Sequence, residues 1–206
     1  MKKEILVGEK LLHHSDIERI TDTIAKALDE RFGDRETFPV MVGVLKGAAP
    51  FMFDLVRKMH TIVDIELMDV SSYSGTSSTG RLRVNLPLTH DVSGKDIILV
   101  DDVIETGLTT YELIKYLKNE KHVNSITTVF LVDKTKNRKY DVKVDYAGIT
   151  YDGDKFLIGY GLDYNDLLRN IFAIYEMDKK DISRLDEILA RDHEIALARA
   201  EDRKID

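Results

Sequence analysis

The chain has 206 residues, 43% hydrophobic and 33% charged, which suits one soluble globular domain with at most a small appendage. A net charge of −7 argues against a broad basic surface for nucleic acid, and the absence of cysteine excludes disulfides, thiolate metal sites and cysteine nucleophiles. The opening "MKKEILVGEKLLHHSD" lacks a sustained apolar core, and no run approaches the roughly 20 apolar residues of a membrane span, so no membrane partner and a cytoplasmic address are expected.

In chain order, "SDIERITDTIAKALDERFG" predicts a helix. Ser15 and Glu18 form an S-x-x-E capping box, Ile17, Ile20, Ile24 and Leu28 recur at helical spacing, and Gly33 ends it. The run "FPVMVGVLKG" predicts a buried strand, "APFMFDLVRKM" a helix and "TIVDIELMDV" a second strand. The Ser/Thr/Gly-rich "SSYSGTSSTGRLR" reads as a long mobile loop, with "RLRVNLPL" returning from it as an antiparallel strand. "KDIILVDDV" is the third main strand and "TTYELIKYLKNE" the helix behind it; "NSITTVFLVDKT", "VKVDYAGITY" and "KFLIGYG" read as further strands. Strands alternating with helices imply a parallel sheet covered on both faces, an α/β fold. The end, "DKKDISRLDEILARDHEIALARAEDRKID", predicts a charged amphipathic helix, residues 179–206, appended to a domain of residues 1–178. Its apolar positions Ile182, Leu185, Leu189 and Ile195 either pack on that domain, the favoured reading, or face a partner. The histidines show no metal-ligand spacing, and His13 and His14 are given no role.

The stretch "DIILVDDVIETGLTT" carries the chemistry. In open parallel sheets, ligands bind beyond the carboxyl ends of the strands, where this loop falls. Thr106, Gly107, Leu108, Thr109 and Thr110 offer backbone N–H groups and hydroxyls to a phosphate at a helix start. The adjacent acids Asp101 and Asp102 suit vicinal sugar hydroxyls, or Mg2+ held through oxygen and water. A sugar phosphate bound together with a divalent metal satisfies both halves of the loop.

This loop resembles the 5-phosphoribosyl 1-diphosphate signature of type I phosphoribosyltransferases. "VGVLKGAAPFMFDLVR", "SSYSGT", "LVDKT" and "DKFLIGYGLDYNDLLRN" follow in the order of the hypoxanthine-guanine branch, and together the segments span roughly residues 5–175. The resemblance implies a central, mostly parallel sheet flanked by helices, a flexible lid loop, and a small hood from the N-terminal segment and residues about 150–175. It also implies Mg2+, a purine base and 5-phosphoribosyl 1-diphosphate as substrates, and a homodimer or homotetramer.

Its implied site is specific. Asp101 and Asp102 take the ribose hydroxyls and metal, with Asp101 standing where the family usually has Glu. Residues Thr106 to Thr110 take the 5-phosphate. Lys46, Gly47 and Arg169 meet the pyrophosphate, and the Leu45–Lys46 peptide can be cis in this family. Lys134 reads a 6-oxo group, although the lysine-rich "DKTKNRK" leaves that assignment open by one residue. Phe156 stacks on the base, Leu157 offers main-chain groups, and Asp163 lies near the base and a second metal. Ser72 and Tyr73 belong to the lid. Glu105 takes the usual Asp position, which exchanges a proton with the purine. It preserves the carboxylate but reaches one carbon–carbon bond further. The loop accommodates Glu, activity falls, or the chain has left catalysis; the intact substrate-contacting segments favour the first. Two other readings differ in class: a regulator on the same fold that binds nucleotide or RNA, and a receiver-type signalling domain. The acidic charge disfavours the regulator, and about a hundred residues ahead of the acid pair disfavour the receiver.

Overall fold

The computed structural model describes residues 8–72 and 82–202; the side chains of Ser72 and of residues 197–202 are not described. In order these residues form β1 (Glu9–Leu12), α1 (His14–Phe32), β2 (Val40–Leu45), α2 (Ala49–Lys58), β3 (Asp64–Ser72) and β4 (Leu82–Leu86). There follow β5 (Asp96–Ile104), α3 (Leu108–Asn119), β6 (Ser125–Asp133), β7 (Tyr146–Thr150), β8 (Phe156–Ile158), β9 (Ile174–Met177) and α4 (Lys179–Asp202). Among the described residues no helix is long and apolar enough to cross a membrane.

Six strands make the central sheet, in the order β4-β3-β2-β5-β6-β7. All neighbours run parallel except β3 and β4, whose antiparallel pairing is the one expected of "RLRVNLPL". Successive side chains of a strand point to opposite faces, so the apolar runs of β2 and β5 feed two cores. Met41 and Ile98 meet α1 and α2 through Leu28, Phe51 and Leu55, while Val42 and Leu99 meet α3 through Leu113 and Leu117. The strand order reverses between β2 and β5: β3 follows outward from β2 and β6 outward from β5. A crevice therefore opens where their carboxyl ends lie side by side.

A second sheet, β1-β9-β8, is antiparallel throughout. Neither β1 nor β9 was expected as a strand from the sequence; each has four residues, too few for a period to register. Helix α4 lies on this sheet: Leu185, with Ile182 and Leu189 beside it, packs against Ile158, Leu168 and Met177. The favoured reading of that helix thus holds for these three residues, and Ile195 is exposed.

Two expectations need correction. The N-cap of α1 is His13, whose main-chain N–H donates to the Asp16 carboxylate at 3.1 Å; Ser15 lies inside the helix and is not the cap. His13 and His14, given no role, therefore mark the helix start. The long loop does not begin at "SS", because Ser71 and Ser72 complete β3 and pair with Arg83 and Leu82. Tyr73 and the rest of the expected lid to residue 81 lie outside the described residues.

Candidate active site

The crevice is floored by the end of β5. Asp101 and Asp102 are half-buried there, and each turns a carboxylate oxygen back onto the next main-chain N–H: Asp102 N–H donates to Asp101 Oδ1 and Val103 N–H to Asp102 Oδ1, both at 2.9 Å. Burial first, and then the neighbouring Asp102 charge, holds the Asp101 carboxyl well above the usual carboxylate range. Two crowded, oxygen-only donors of this kind suit a hard divalent cation such as Mg2+. Among the described residues no cluster of three or more acids or histidines forms a metal cage by itself, so the remaining ligands of a cation would come from water and substrate.

The neighbouring strand β2 brings the Lys46–Ala49 turn against these acids. The Leu45–Lys46 peptide is cis. Gly47 approaches so closely that a β-carbon there would stand 1.9 Å from Asp102 Oδ2, so no other residue fits without moving the carboxylate.

Beyond β5 the chain turns through Gly107, whose φ of 83° lies in the left-handed region open to glycine, and enters α3. Thr106 Oγ1 accepts the Leu108 N–H at 3.4 Å, and Thr110 is buried in the first helical turn. The segment after β6 clamps this turn from the side. Lys134 N–H donates to Ile104 O at 2.9 Å, and the N–H groups of Lys139 and Tyr140 donate to Thr106 O at 3.0 and 3.1 Å. Arg138 donates from Nε to Glu105 O at 3.0 Å and from Nη2 to Ile104 O at 3.3 Å, with its guanidinium 2.5 Å from Asp133 Oδ1. Sequence reasoning missed this clamp: a contact across some thirty positions leaves no periodic trace.

A cleft of about 180 Å3 then gathers Asp102, Glu105, Lys134, Phe156, Leu157 and Asp163. Lys134 is buried and faces Glu105 with Nζ 3.2 Å from Oε1, whereas Lys136 is exposed, so Lys134 is the lysine of the cleft. The same Glu105 oxygen accepts a hydrogen bond from Asn137 Nδ2 at 2.8 Å. Burial opposes ionisation of Glu105, but the bonds from Asn137 and Lys134 outweigh it and hold the carboxyl below its ordinary value. Phe156 is 42% exposed, with Tyr164 edge-on to it at 5.6 Å between ring centres, while Leu157 is buried.

A charged strand of contacts ties the hood to β2. Lys46 Nζ lies 3.0 Å from Asp166 Oδ1, and Arg169 Nη2 lies 2.8 Å from Asp163 Oδ1 and 3.4 Å from Asp166 Oδ1. Asp163 Oδ2 also accepts the Asp166 N–H at 2.8 Å. Arg169 Nη1 donates to Gly161 O at 2.6 Å, and its buried Nε has no hydrogen-bond partner among the described residues. A larger groove, about 800 Å3, runs between α1, α2 and residues 169–172, but of the expected site residues only Arg169 lines it. Asp102 of β5 and Glu105 just beyond it line the smaller cleft instead.

A strand tip with paired acids, a glycine-led turn into a helix and a cleft beside them are the parts of a phosphoribosyltransferase. The chain belongs to the phosphoribosyl transferase domain family, which matches residues 8–165. Within that family it is similar to hypoxanthine-guanine phosphoribosyltransferases. The Bacillus subtilis (strain 168) protein is 38% identical over 166 residues, 80% of this chain and 90% of the relative. The Staphylococcus aureus (strain N315) protein is 39% identical over 164 residues, 79% of this chain and 89% of the relative. A crystal structure of a hypoxanthine phosphoribosyltransferase from Staphylococcus aureus superposes with a TM-score of 0.78 at 36% identity, covering 84% of this chain and 93% of that one. A hypoxanthine phosphoribosyl transferase of Trypanosoma cruzi superposes at 0.81 with 26% identity, covering 91% of this chain and all of that one.

Proposed function

We propose that the chain salvages purines, transferring the 5-phosphoribosyl group from 5-phosphoribosyl 1-diphosphate to hypoxanthine, guanine or both. A ring nitrogen of the base bonds to C1 of the sugar as the bond from C1 to the pyrophosphate oxygen breaks. The pyrophosphate leaves with that electron pair, and the imidazole proton of the base passes to the Glu105 carboxylate. The products are IMP or GMP and pyrophosphate. The observation that carries this reading is the single cleft shared by Asp102, Glu105, Lys134, Phe156 and Leu157, which come from three separated segments of the chain.

In this reading the first turn of α3, Thr106 to Thr110, holds the 5-phosphate through main-chain N–H groups and the helix terminus. Asp101 and Asp102 hold the ribose hydroxyls and Mg2+, which neutralises charge on the pyrophosphate when bound. Lys46, Gly47 and Arg169 receive the pyrophosphate; Arg169 Nε, which has no partner among the described residues, supports that role. Phe156 stacks on the base, Leu157 reads it through the main chain, and Lys134 donates to a 6-oxo group. Because Lys134 also faces Glu105, that pair parts as the base enters. Asp163 lies near the base and would help hold a second metal; the lid role expected of Ser72 and Tyr73 rests on the resemblance alone. Assembly into two or four copies and a cytoplasmic address complete the proposal. The exposed Phe53 and Phe172 beside the larger groove support the assembly. The regulator alternative gains no support from the relatives.

The test is a spectrophotometric assay of the purified chain with 5-phosphoribosyl 1-diphosphate, Mg2+ and each of four nucleobases, repeated with a chelator. Nucleotide should form with hypoxanthine or guanine, only in the presence of metal. A folded protein that makes no nucleotide from any base overturns the assignment.

A further inference from the structure

We propose that Asn137 is a positioning residue: its side-chain amide holds the Glu105 carboxylate by one oxygen and steadies the extra methylene that this chain carries where the family usually has aspartate. The inference rests on Glu105 accepting the purine proton. A glutamate has one more rotatable bond than an aspartate, and its carboxylate samples a wider volume unless something fixes it. Catalytic geometry tolerates little of that, since misplacement by about 1 Å costs on the order of 100-fold.

Two groups reach Glu105 Oε1: Asn137 Nδ2 at 2.8 Å and Lys134 Nζ at 3.2 Å. Among the described residues Oε2 takes no hydrogen bond, which leaves it to receive the proton. Lys134 cannot be the lasting hold, because the base claims it. Asn137 has no such competing duty. It closes the 3-10 turn Thr135–Asn137 and is followed at once by Arg138, which is fastened to the main-chain oxygens of Ile104 and Glu105 and to Asp133. The amide therefore reaches Glu105 from a frame already tied to β5 and β6. Asn137 is itself exposed, so the core does not depend on it.

The experiment measures kcat and both KM values for Asn137→Ala and for Asn137→Asp, which keeps the shape but removes the donor, each made with Glu105 and with Glu105→Asp. With Glu105 present, kcat should fall on the order of tenfold while KM for 5-phosphoribosyl 1-diphosphate stays within about twofold. With Glu105→Asp, whose carboxylate stops one methylene short of the amide, Asn137→Ala should change kcat less than about twofold. Equal losses in both backgrounds, no loss in either, or KM moving with kcat overturns the inference. Thermal melts of each variant separate misfolding from misplacement. Failure of the underlying reading shows itself separately, as an unchanged turnover in Glu105→Gln.

Discussion

Glu105 and Gly47 illustrate how little freedom single positions have at this strand tip. Glu105→Gln keeps the shape and the Asn137 contact but removes the proton acceptor. Turnover should fall on the order of 100-fold or more, while affinity for 5-phosphoribosyl 1-diphosphate, read by calorimetry, stays within about twofold. Gly47 is a different case, in which the main chain itself lies against a carboxylate. A methyl at Gly47 overlaps Asp102 Oδ2, so Gly47→Ala must turn Asp102 or displace the turn. Overpacking of this kind typically costs about 1–3 kcal/mol. If Asp102 holds the ribose as proposed, Gly47→Ala should also weaken binding of the activated sugar by about tenfold or more. Undiminished affinity in a folded Gly47→Ala protein would mean that Asp102 does not hold the sugar. The position of the paired acids and of the turn behind them was readable in the sequence, because they are contiguous and follow an apolar run. Asn137 and Arg138 were not: they act on Glu105 across the β5–β6 pairing, and nothing in "TKNRK" marks either as a partner.

Elements were legible in proportion to their length and burial. Strands β2, β5 and β6 each hold a continuous apolar run because both faces of each strand are covered there, and no partner was needed to see them. Strands β1 and β9 pair with each other in the second sheet, and four residues each are too few to carry such a signal. The start of α1 was misplaced because "HHSDIE" offers a capping pattern in two frames, and Asp16 at the third helical position satisfied the earlier one. At the other end of α1, Asp29 joins the helix to the connection between α2 and β3. Its carboxylate accepts the N–H groups of His60 and Thr61 at 2.8–3.0 Å. Burial works against the charge, but those donors prevail and hold Asp29 below the usual aspartate value. A carboxyl lowered in the folded state contributes stability above its unfolded pKa and loses it as pH falls through the folded one. Asp29→Asn should therefore destabilise by about 1–2 kcal/mol at pH 7. The gap to the parent, read by urea unfolding, should close as pH drops below about 4. A gap independent of pH would rule out the charge as the source.

At the scale of the whole molecule, the reversal of strand order between β2 and β5 sets the turn after β2 beside the acids of β5, and β8 of the second sheet lends Phe156 and Leu157 to the cleft. Helix α4 is coupled to that second sheet, and through Tyr164 to Phe156 in the cleft. Tyr164 O–H donates to Asp186 Oδ1 on α4 at 2.7 Å, while the Tyr164 ring lies edge-on to Phe156. Beneath this link Leu185, only 3% exposed, fills the space between Ile158, Leu168 and Met177. Truncating a leucine so placed removes its transfer energy and leaves a cavity, so Leu185→Ala should cost about 2–5 kcal/mol. Part of the loss should appear as a raised KM for the purine, with KM for 5-phosphoribosyl 1-diphosphate unchanged, because only the hood is loosened. Ile195 lies on the same helix but is 40% exposed, and if α4 serves only its own subunit, Ile195→Ala should change stability by no more than about 0.5 kcal/mol. Unfolding followed over a range of protein concentrations distinguishes the two uses of the helix. A concentration-dependent midpoint that Ile195→Ala lowers would place this flank in a subunit contact; a midpoint indifferent to both would confine α4 to its own hood.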